Sequence, residues 1–359
     1  MSRLSILFTT GDLGGLERRI INSTRVFKPS FILFAEPSPD LKNAIGPNHS
    51  ITVIPFPPAI VKLFPPFIHL YYLIKLTLLF VSKSSKPKHY IVSTSLYGSY
   101  YALLLSFYLK SKHIAVIGTS SYRFNAIHRF FLRLSLRMAH LILTNSVDTY
   151  RLFSTYNHIV FTFDRPMHLL RPSLDPTVPT ACNLLRMTVV ANMRPIKNPQ
   201  GTARFLNLLA EKHPNITFAF VGRSMENLVK HLSTQALNVS SDFGSLSYIK
   251  TMEILSHSHF MLSLSKHEGM PNAVLDALSL GILPILSDIA PHRELMSNGY
   301  QKFLVDIKFI DQELERLLPF IDLKNSDSFK SQKPFFSVSS FVMSSSSTES
   351  VLNHLLSLS

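Results

Sequence analysis

The sequence predicts an α/β protein made of two doubly wound, Rossmann-like domains. Short apolar segments of strand length alternate with segments of helical periodicity along most of the chain. A length of 359 residues, at about 150 residues per domain, gives two hydrophobic cores. The proline-rich stretch RPSLDPTVPTACN, 171–183, separates the two alternating halves, because proline and the residue before it hold the backbone extended. The expected domains are 1–172 and 183–323, followed by a serine-rich tail, 324–359, whose composition alone marks it as flexible.

The chain opens with an apolar strand at Leu4–Thr9, a glycine-containing loop at Gly11–Gly15 and a helix from about Leu16, the first unit of a doubly wound domain. FILFAE (31–36), ITVIPF (51–56), YIVSTS (90–95) and HIAVIGT (113–119) read as further strands. In FNAIHRFFLRLSLRMAHLILTNS, His128, Leu132, Leu136 and Ala139 recur at helical spacing. Arg129, Arg133 and Arg137 lie four apart on another face, and LILTNS returns as a strand. Beyond the prolines come RMTVVAN, a helix near 199–212, ITFAFVG, a helix near 225–235, a weak helix near 247–256 and HFMLSLS. A loop and helix in HEGMPNAVLDALSLG and the strand ILPILSD complete the second half.

The charge is uneven. Residues 1–175 hold 20 Lys/Arg against 7 Asp/Glu, and no carboxylate side chain lies between Asp40 and Asp148. Such a basic half attracts phosphates of a membrane, an acidic substrate or nucleic acid. Residues 59–81 are apolar but carry Lys62, Lys75 and the Pro65-Pro66 pair, so a surface segment is expected in place of a bilayer crossing. Cation and aromatic side chains together suit either the face of an anionic membrane or a buried helix with solvated lysines. Residues 89–109 divide into a strand, a turn at Gly98 and a core helix. A single cysteine, Cys182, cannot form an internal disulfide, and residues 1–15 lack a signal-peptide pattern, so a reducing cytoplasm is the expected compartment.

Chemistry concentrates in SKHEGMPNAVLDALSLG, 265–281. Pro271 suits the first turn of a helix, and the Glu268-Gly269-Met270 loop before it would offer amides where the helix dipole is positive, a site for phosphate. Asn272 and Asp276 share a helical face, and Glu268 stands in the loop above them. The same residues also fit a plainer role, with Glu268 capping the helix and Asp276 as a solvated acid. In VVANMRPIKNPQG, 189–201, Arg194 and Lys197 follow a strand and would meet a ligand in the crevice of the sheet, or form an exposed basic turn. GDLGGLERR, 11–19, is not the dinucleotide pattern G-x-G-x-x-G; its tight turn would approach a substrate.

These three segments, in this order, resemble the retaining nucleotide-sugar glycosyltransferases of family four, most strongly over 187–296. The resemblance implies the GT-B architecture, two Rossmann-like domains facing each other across a cleft. Glu268-Gly269-Met270-Pro271-Asn272 matches the family's E-G-x-P-N, and Asp276 stands where the family has a second glutamate. By resemblance, Glu268 binds hydroxyls of the donor sugar, Gly269, Met270, Pro271 and Asn272 present backbone amides to the donor, and Asp276 faces the ribose. Lys197-Asn198 is similar to the family's basic loop, although its usual arginine is Asn192 here and Arg194 is the nearest substitute. SDIAPHREL, 287–295, resembles the following strand and loop, with Glu294 at an acidic position. Gly14 and Gly15 resemble the family's G-G-x-E-R loop near the acceptor and donor phosphates. The histidine many members carry after a central strand is replaced by IGTSSYR, with Ser120, Ser121 and Arg123. The tail resembles the family's C-terminal return to the first domain only in FSVSSF and the last apolar turn.

The resemblance therefore implies a hexosyltransferase. It would move a sugar from a nucleotide diphosphate to a glycan or lipid-linked acceptor with retention, in lipopolysaccharide or other envelope polysaccharide synthesis. No metal or other cofactor is expected. The basic first domain would rest on the inner face of the cell membrane as a peripheral protein. The alternative is a catalytically silent GT-B-like protein that binds nucleotide sugar or a membrane surface. Nucleic acid is not an expected partner, since no aromatic and basic motif accompanies the charge.

Overall fold

A computed structural model of the chain describes residues 4–9, 11, 15–54, 71, 72, 74, 75, 78, 90–94, 96–108, 110–118, 126–156, 158–161, 184–296, 300–323 and 347–357. The proline-rich stretch 171–183, most of 59–81, Ser120, Ser121, Arg123 and His128's side chain lie outside the described set. The chain divides into two compact units, Met1–Arg165 with Ser344–Ser359, and Pro166–Met343.

The first unit is built on seven parallel strands: β1 (Leu4–Phe8), β2 (Ser30–Leu33), β3 (Ile51–Val53), β4 (Tyr90–Ser93), β5 (Lys112–Ile117), β6 (Leu141–Thr144) and β7 (Ile159–Phe161), ordered β3-β2-β1-β4-β5-β6-β7. Its strands are apolar on both faces because helices cover both. Ile6, Val92 and Val116 share a core with Ile20 of helix Gly15–Thr24, Leu41 of helix Pro39–Ile45 and Leu352. The alternate residues Leu7 and Ile91 face Tyr72, Tyr101 and Leu105, and Ala115 and Ile117 face Leu132 and Leu136. Residues 89–109 thus fold as β4 and the core helix Leu96–Tyr108. Tyr72 of the 59–81 segment stacks on Phe34 at 4.6 Å, whereas Ile74 and Leu78 are exposed.

The last turns of the chain are helical, Thr348–Ser357, and lie on this unit. Leu352 is buried among the residues around Ile20, Arg19 Nη2 donates to Thr348 Oγ1 at 3.2 Å, and the Tyr90 hydroxyl donates to the Leu355 carbonyl at 3.3 Å. The spacing of Val351, Leu352 and Leu355 gives this helix one apolar stripe, a signal that the serine content around it obscures.

The second unit has six parallel strands: β8 (Leu185–Val190), β9 (Ile216–Val221), β10 (Ser240–Asp242), β11 (Phe260–Ser263), β12 (Leu283–Ser287) and β13 (Leu304–Val305), ordered β10-β9-β8-β11-β12-β13. Helix Pro199–Lys212 fills the expected span. The helix expected near 225–235 is two, Glu226–Val229 and Thr234–Asn238, because the Ser233 side chain accepts from Ala236 N and caps a new start. Edge strands β7, β10 and β13 are two or three residues long, too short to show a period.

In both sheets the order runs outward in two directions from a central pair, β1/β4 in the first and β8/β11 in the second. The connections leave that pair on opposite sides, opening a crevice at the strands' carboxyl ends.

Each unit also buries a histidine. His113 on β5 lies 3.0 Å from Ser93 Oγ, and burial holds its pKa down to about 3; His292 is held down to about 4, also by burial. Unfolded, both titrate near 6.5. Between 6.5 and these values the unfolded chain takes up protons that the folded chain excludes, so stability is full above pH 6.5 and falls on acidification. Denaturation midpoints should drop below pH 6.5, and His113→Asn should flatten that drop. Leu352→Ala should destabilise the first unit by about 2–4 kcal/mol, read by urea unfolding.

Candidate active site

The residues that the sequence marks for donor chemistry meet at the central crevice of the second sheet. β8 and β11 are neighbours, with Thr188 opposite Met261, so the loops that follow them, 191–198 and 264–271, run side by side. A backbone bond from Lys266 N to Ile196 O, 2.9 Å, ties the two loops. Lys197 Nζ forms an ion pair with Glu268 Oε1, and Ser265 Oγ donates to the same oxygen at 2.7 Å. Glu268 is 12% exposed and Lys197 26%. The carboxylate therefore has a cation and a hydroxyl in place of much of its water.

Local sequence explains the loop that carries Lys197. Asn198 adopts the left-handed conformation at φ 57°, and its side chain accepts from Gly201 N at 3.3 Å, starting helix Pro199–Lys212. Asparagine tolerates that backbone and caps a helix; proline follows at the first helical position. On the other side, Met193 N donates to Arg223 O at 2.9 Å. Gly222 has φ +140°, and a Cβ there would lie 1.8 Å from the Ala191 carbonyl oxygen, so this approach of β9 to the loop requires glycine.

Behind Glu268 runs a buried polar chain. Ser287 Oγ donates to Ser265 O at 2.6 Å, and His292 Nδ1 donates to Ser287 O at 2.8 Å. With Nδ1 carrying the proton, Nε2 of the neutral ring is an acceptor; it is buried and has no partner among the described residues. Sequence reasoning misses Ser265, Ser287 and His292, although all three lie in segments that it singles out.

Helix Asn272–Ser279 begins one residue later than the sequence implies: Pro271 is its N-cap, at φ −78° and ψ 93°, and no side chain caps it. The Pro271 carbonyl accepts from Val274 N at 3.0 Å and Leu275 N at 3.1 Å, and the amides of Asn272 and Ala273 precede those bonds. Glu268 is thus engaged with Lys197 and does not cap the helix, which removes the plainer reading of that residue. Met270 and Pro271 are buried, Gly269 and Asn272 half-buried. Asp276 is not simply solvated either, since the Tyr248 hydroxyl donates to its Oδ1 at 3.1 Å. Tyr248 carries no sequence signal of this role, because nothing in the local pattern of a weak helix links it to a residue 28 positions later. Arg194 is exposed and makes no ion pair among the described residues. Glu294 lies half-buried on helix Ala290–Leu295.

In the first unit, Gly15 opens helix Gly15–Thr24, and Gly14 lies outside the described residues. Gly11 is packed so closely that a Cβ would stand 2.0 Å from the Glu36 carbonyl oxygen. Among the described residues no group of three His, Cys, Asp or Glu side chains converges as metal ligands would.

Residues 183–328 match the family model for glycosyl transferases group 1. The second unit is similar to the group 1 glycosyltransferases over most of its length. Over 146 residues this chain is 29% identical to the UDP-Gal:alpha-D-GlcNAc-diphosphoundecaprenol alpha-1,3-galactosyltransferase of Escherichia coli, a match spanning 40% of this chain and 38% of that relative. A GDP-mannose:cellobiosyl-diphosphopolyprenol alpha-mannosyltransferase from Xanthomonas oryzae is 40% identical over 53 residues, 15% of this chain and 14% of its own.

Similarity of fold extends beyond the residues that the family model matches. HepE from Anabaena, solved in complex with UDP, superimposes with a TM-score of 0.71 over 99% of this chain and 100% of its own, at 16% identity. A glycosyltransferase from Rickettsia africae gives 0.70 over 99% and 97%, at 14% identity. Both units of this chain have the fold of the GT-B glycosyltransferases.

Because Asn198 supplies both the cap and the left-handed turn beside Lys197, Asn198→Ala should cost about 1–2 kcal/mol of stability in the second unit, and Asn198→Gly less. Urea unfolding of the two variants measures the difference.

Proposed function

We propose that the chain is a hexosyltransferase that moves a sugar from a nucleotide diphosphate to a hydroxyl of a lipid-linked glycan, with retention, in the assembly of lipopolysaccharide or another envelope polysaccharide. The observation that carries this reading is the meeting of Lys197, Glu268 and the uncapped start of helix Asn272–Ser279 at the crevice of the second unit. The HepE structures hold UDP and UDP-glucose, and the curated relatives act on diphosphopolyprenol-linked sugars. Those names support a nucleotide-sugar donor and a lipid-linked acceptor here; with such an acceptor, the chain would work as a peripheral protein on the inner face of the cell membrane.

The difficult step is breaking the bond between the sugar's anomeric carbon and the diphosphate oxygen, which builds positive charge on the ring and negative charge on the leaving group. Lys197, with Arg194 and the amides of Gly269 to Asn272, would stabilise the departing diphosphate. Glu268 would hold donor hydroxyls, its orientation fixed by Ser265. Asp276, steadied by Tyr248, would face the ribose. The acceptor oxygen forms the new bond on the face the diphosphate leaves, and its proton passes to a phosphate oxygen of the leaving group. No metal ion enters this scheme.

Glu268→Gln and Lys197→Ala should each lower donor hydrolysis or transfer by about 100-fold or more; Glu268→Gln should keep its unfolding midpoint near the parent's, whereas Lys197→Ala, which leaves the Glu268 carboxylate without its cation, should also lower it. Asp276→Asn and Tyr248→Phe should raise KM for the donor more than they lower kcat. A panel of UDP-, GDP- and ADP-sugars identifies the donor. Normal turnover in the first two variants overturns the catalytic assignment, and tight donor binding without any turnover by the parent assigns the chain to the silent binding proteins instead.

A further inference from the structure

One helix of the first unit presents an outer face that the core does not explain. Helix Ala126–Met138 buries Leu132 and Leu136 against β5 and β6. Ser135 Oγ donates to the Ser99 carbonyl of helix Leu96–Tyr108 at 2.8 Å, so the two helices lie side by side. At about 100° per residue the remaining side chains form two adjoining stripes. Arg129, Arg133 and Arg137 make one, all exposed and without an ion pair among the described residues. Phe130, Leu134 and Met138 make the other, 63%, 39% and 45% exposed, with Phe131 beside them at 51%. The Phe130 and Phe131 rings meet edge to face at 5.6 Å. Leu104 and Phe107 of the neighbouring helix are exposed as well.

Next to the basic stripe is a recess of about 590 Å³ lined by Arg133, Arg137, Thr155, Tyr156 and His158. His158 is oriented by its Nε2, which donates to the Leu136 carbonyl at 2.7 Å. Two guanidinium groups with two hydroxyls are the donor set of a phosphate site. The sequence holds no carboxylate from 41 to 147 that could balance this charge.

We propose that this face docks on an anionic phospholipid bilayer, with Phe130, Phe131, Leu134 and Met138 entering the boundary below the headgroups and Arg133 and Arg137 holding a lipid phosphate at the recess. The idea deepens the reading of the chain as an enzyme acting on lipid-linked acceptors, and rests on it for the purpose of docking. A bilayer fits better than a folded partner for two reasons. Parallel basic and apolar stripes on a convex helix match the phosphate level and the acyl level of a leaflet, and the charge of Arg129, Arg133 and Arg137 is complementary to the phosphates of an anionic leaflet. The arginine stems can lie along the apolar stripe while their heads stay at the phosphates.

The test uses the full chain and vesicles of phosphatidylcholine with and without phosphatidylglycerol. The parent should sediment with the anionic vesicles, less so as salt is raised. Arg133→Gln with Arg137→Gln should lower partitioning about 25-fold, about fivefold for each cation near an anionic surface. Phe130→Ser with Phe131→Ser should lower it as well. Both pairs should retain donor hydrolysis in the absence of lipid, which separates loss of docking from loss of the catalytic reading. Since the chain contains no tryptophan, Phe130→Trp adds a single reporter whose emission should shift to shorter wavelength on anionic vesicles, whereas that of Leu237→Trp in the second unit should not. Absence of vesicle binding by the parent, unchanged binding by both paired variants, or an emission spectrum of the Phe130→Trp variant indifferent to lipid overturns the proposal. So does self-association in solution that Phe130→Ser with Phe131→Ser abolishes, which would assign the face to a second copy.

Discussion

The ion pair between Lys197 and Glu268 is the contact on which the second unit's site depends. It joins two loops that share no sequence neighbourhood, and it does so where both groups have lost much of their water. A carboxylate in that position is costly unless its oxygens are occupied; Lys197 and Ser265 occupy one of them. Under the proposed function, an incoming diphosphate would compete with Glu268 for Lys197.

What brings the two loops together is the order of the strands. Adjacent β8 and β11 lead into loops whose residues Lys197 and Glu268 lie 71 positions apart, and every connection between them crosses over the sheet. A parallel sheet wound in both directions has only one place where neighbouring loops diverge, and these two loops lie there. Gly222, tight against Ala191, and Asn198, in a left-handed turn, shape the loop from either side. Beneath it the chain from His292 through Ser287 ends on the backbone carbonyl of Ser265, whose hydroxyl donates to Glu268.

The first unit is organised differently on its two faces. One face of its sheet is closed by helices Gly15–Thr24 and Pro39–Ile45 and by the C-terminal helix, which returns Leu352 to the core. The other is closed by helices whose inner sides pack on the sheet and whose outer sides keep phenylalanines and arginines in view. The excess positive charge of the sequence is therefore not spread evenly in space; three of its arginines form one stripe.

Much of this is legible in the chain itself because it is local. Strand segments such as ITFAFV are continuous apolar runs, helix 199–212 begins with Asn-Pro and keeps its apolar spacing, and Glu268 to Asn272 are contiguous, so their grouping needs no fold. Strands of two or three residues carry too few side chains to show a period, which is why β7, β10 and β13 escape such a reading. Residue type and spacing along single stretches are enough to define two doubly wound sheets, a basic first half and a short acidic loop before a helix. Folding alone establishes that Glu268 faces Lys197 instead of capping its own helix, that Tyr248 holds Asp276, and that His292 stands behind Ser265. Those pairings join residues far apart in sequence, and a side chain's partner across such a distance is set by sheet order and packing, which no local pattern encodes.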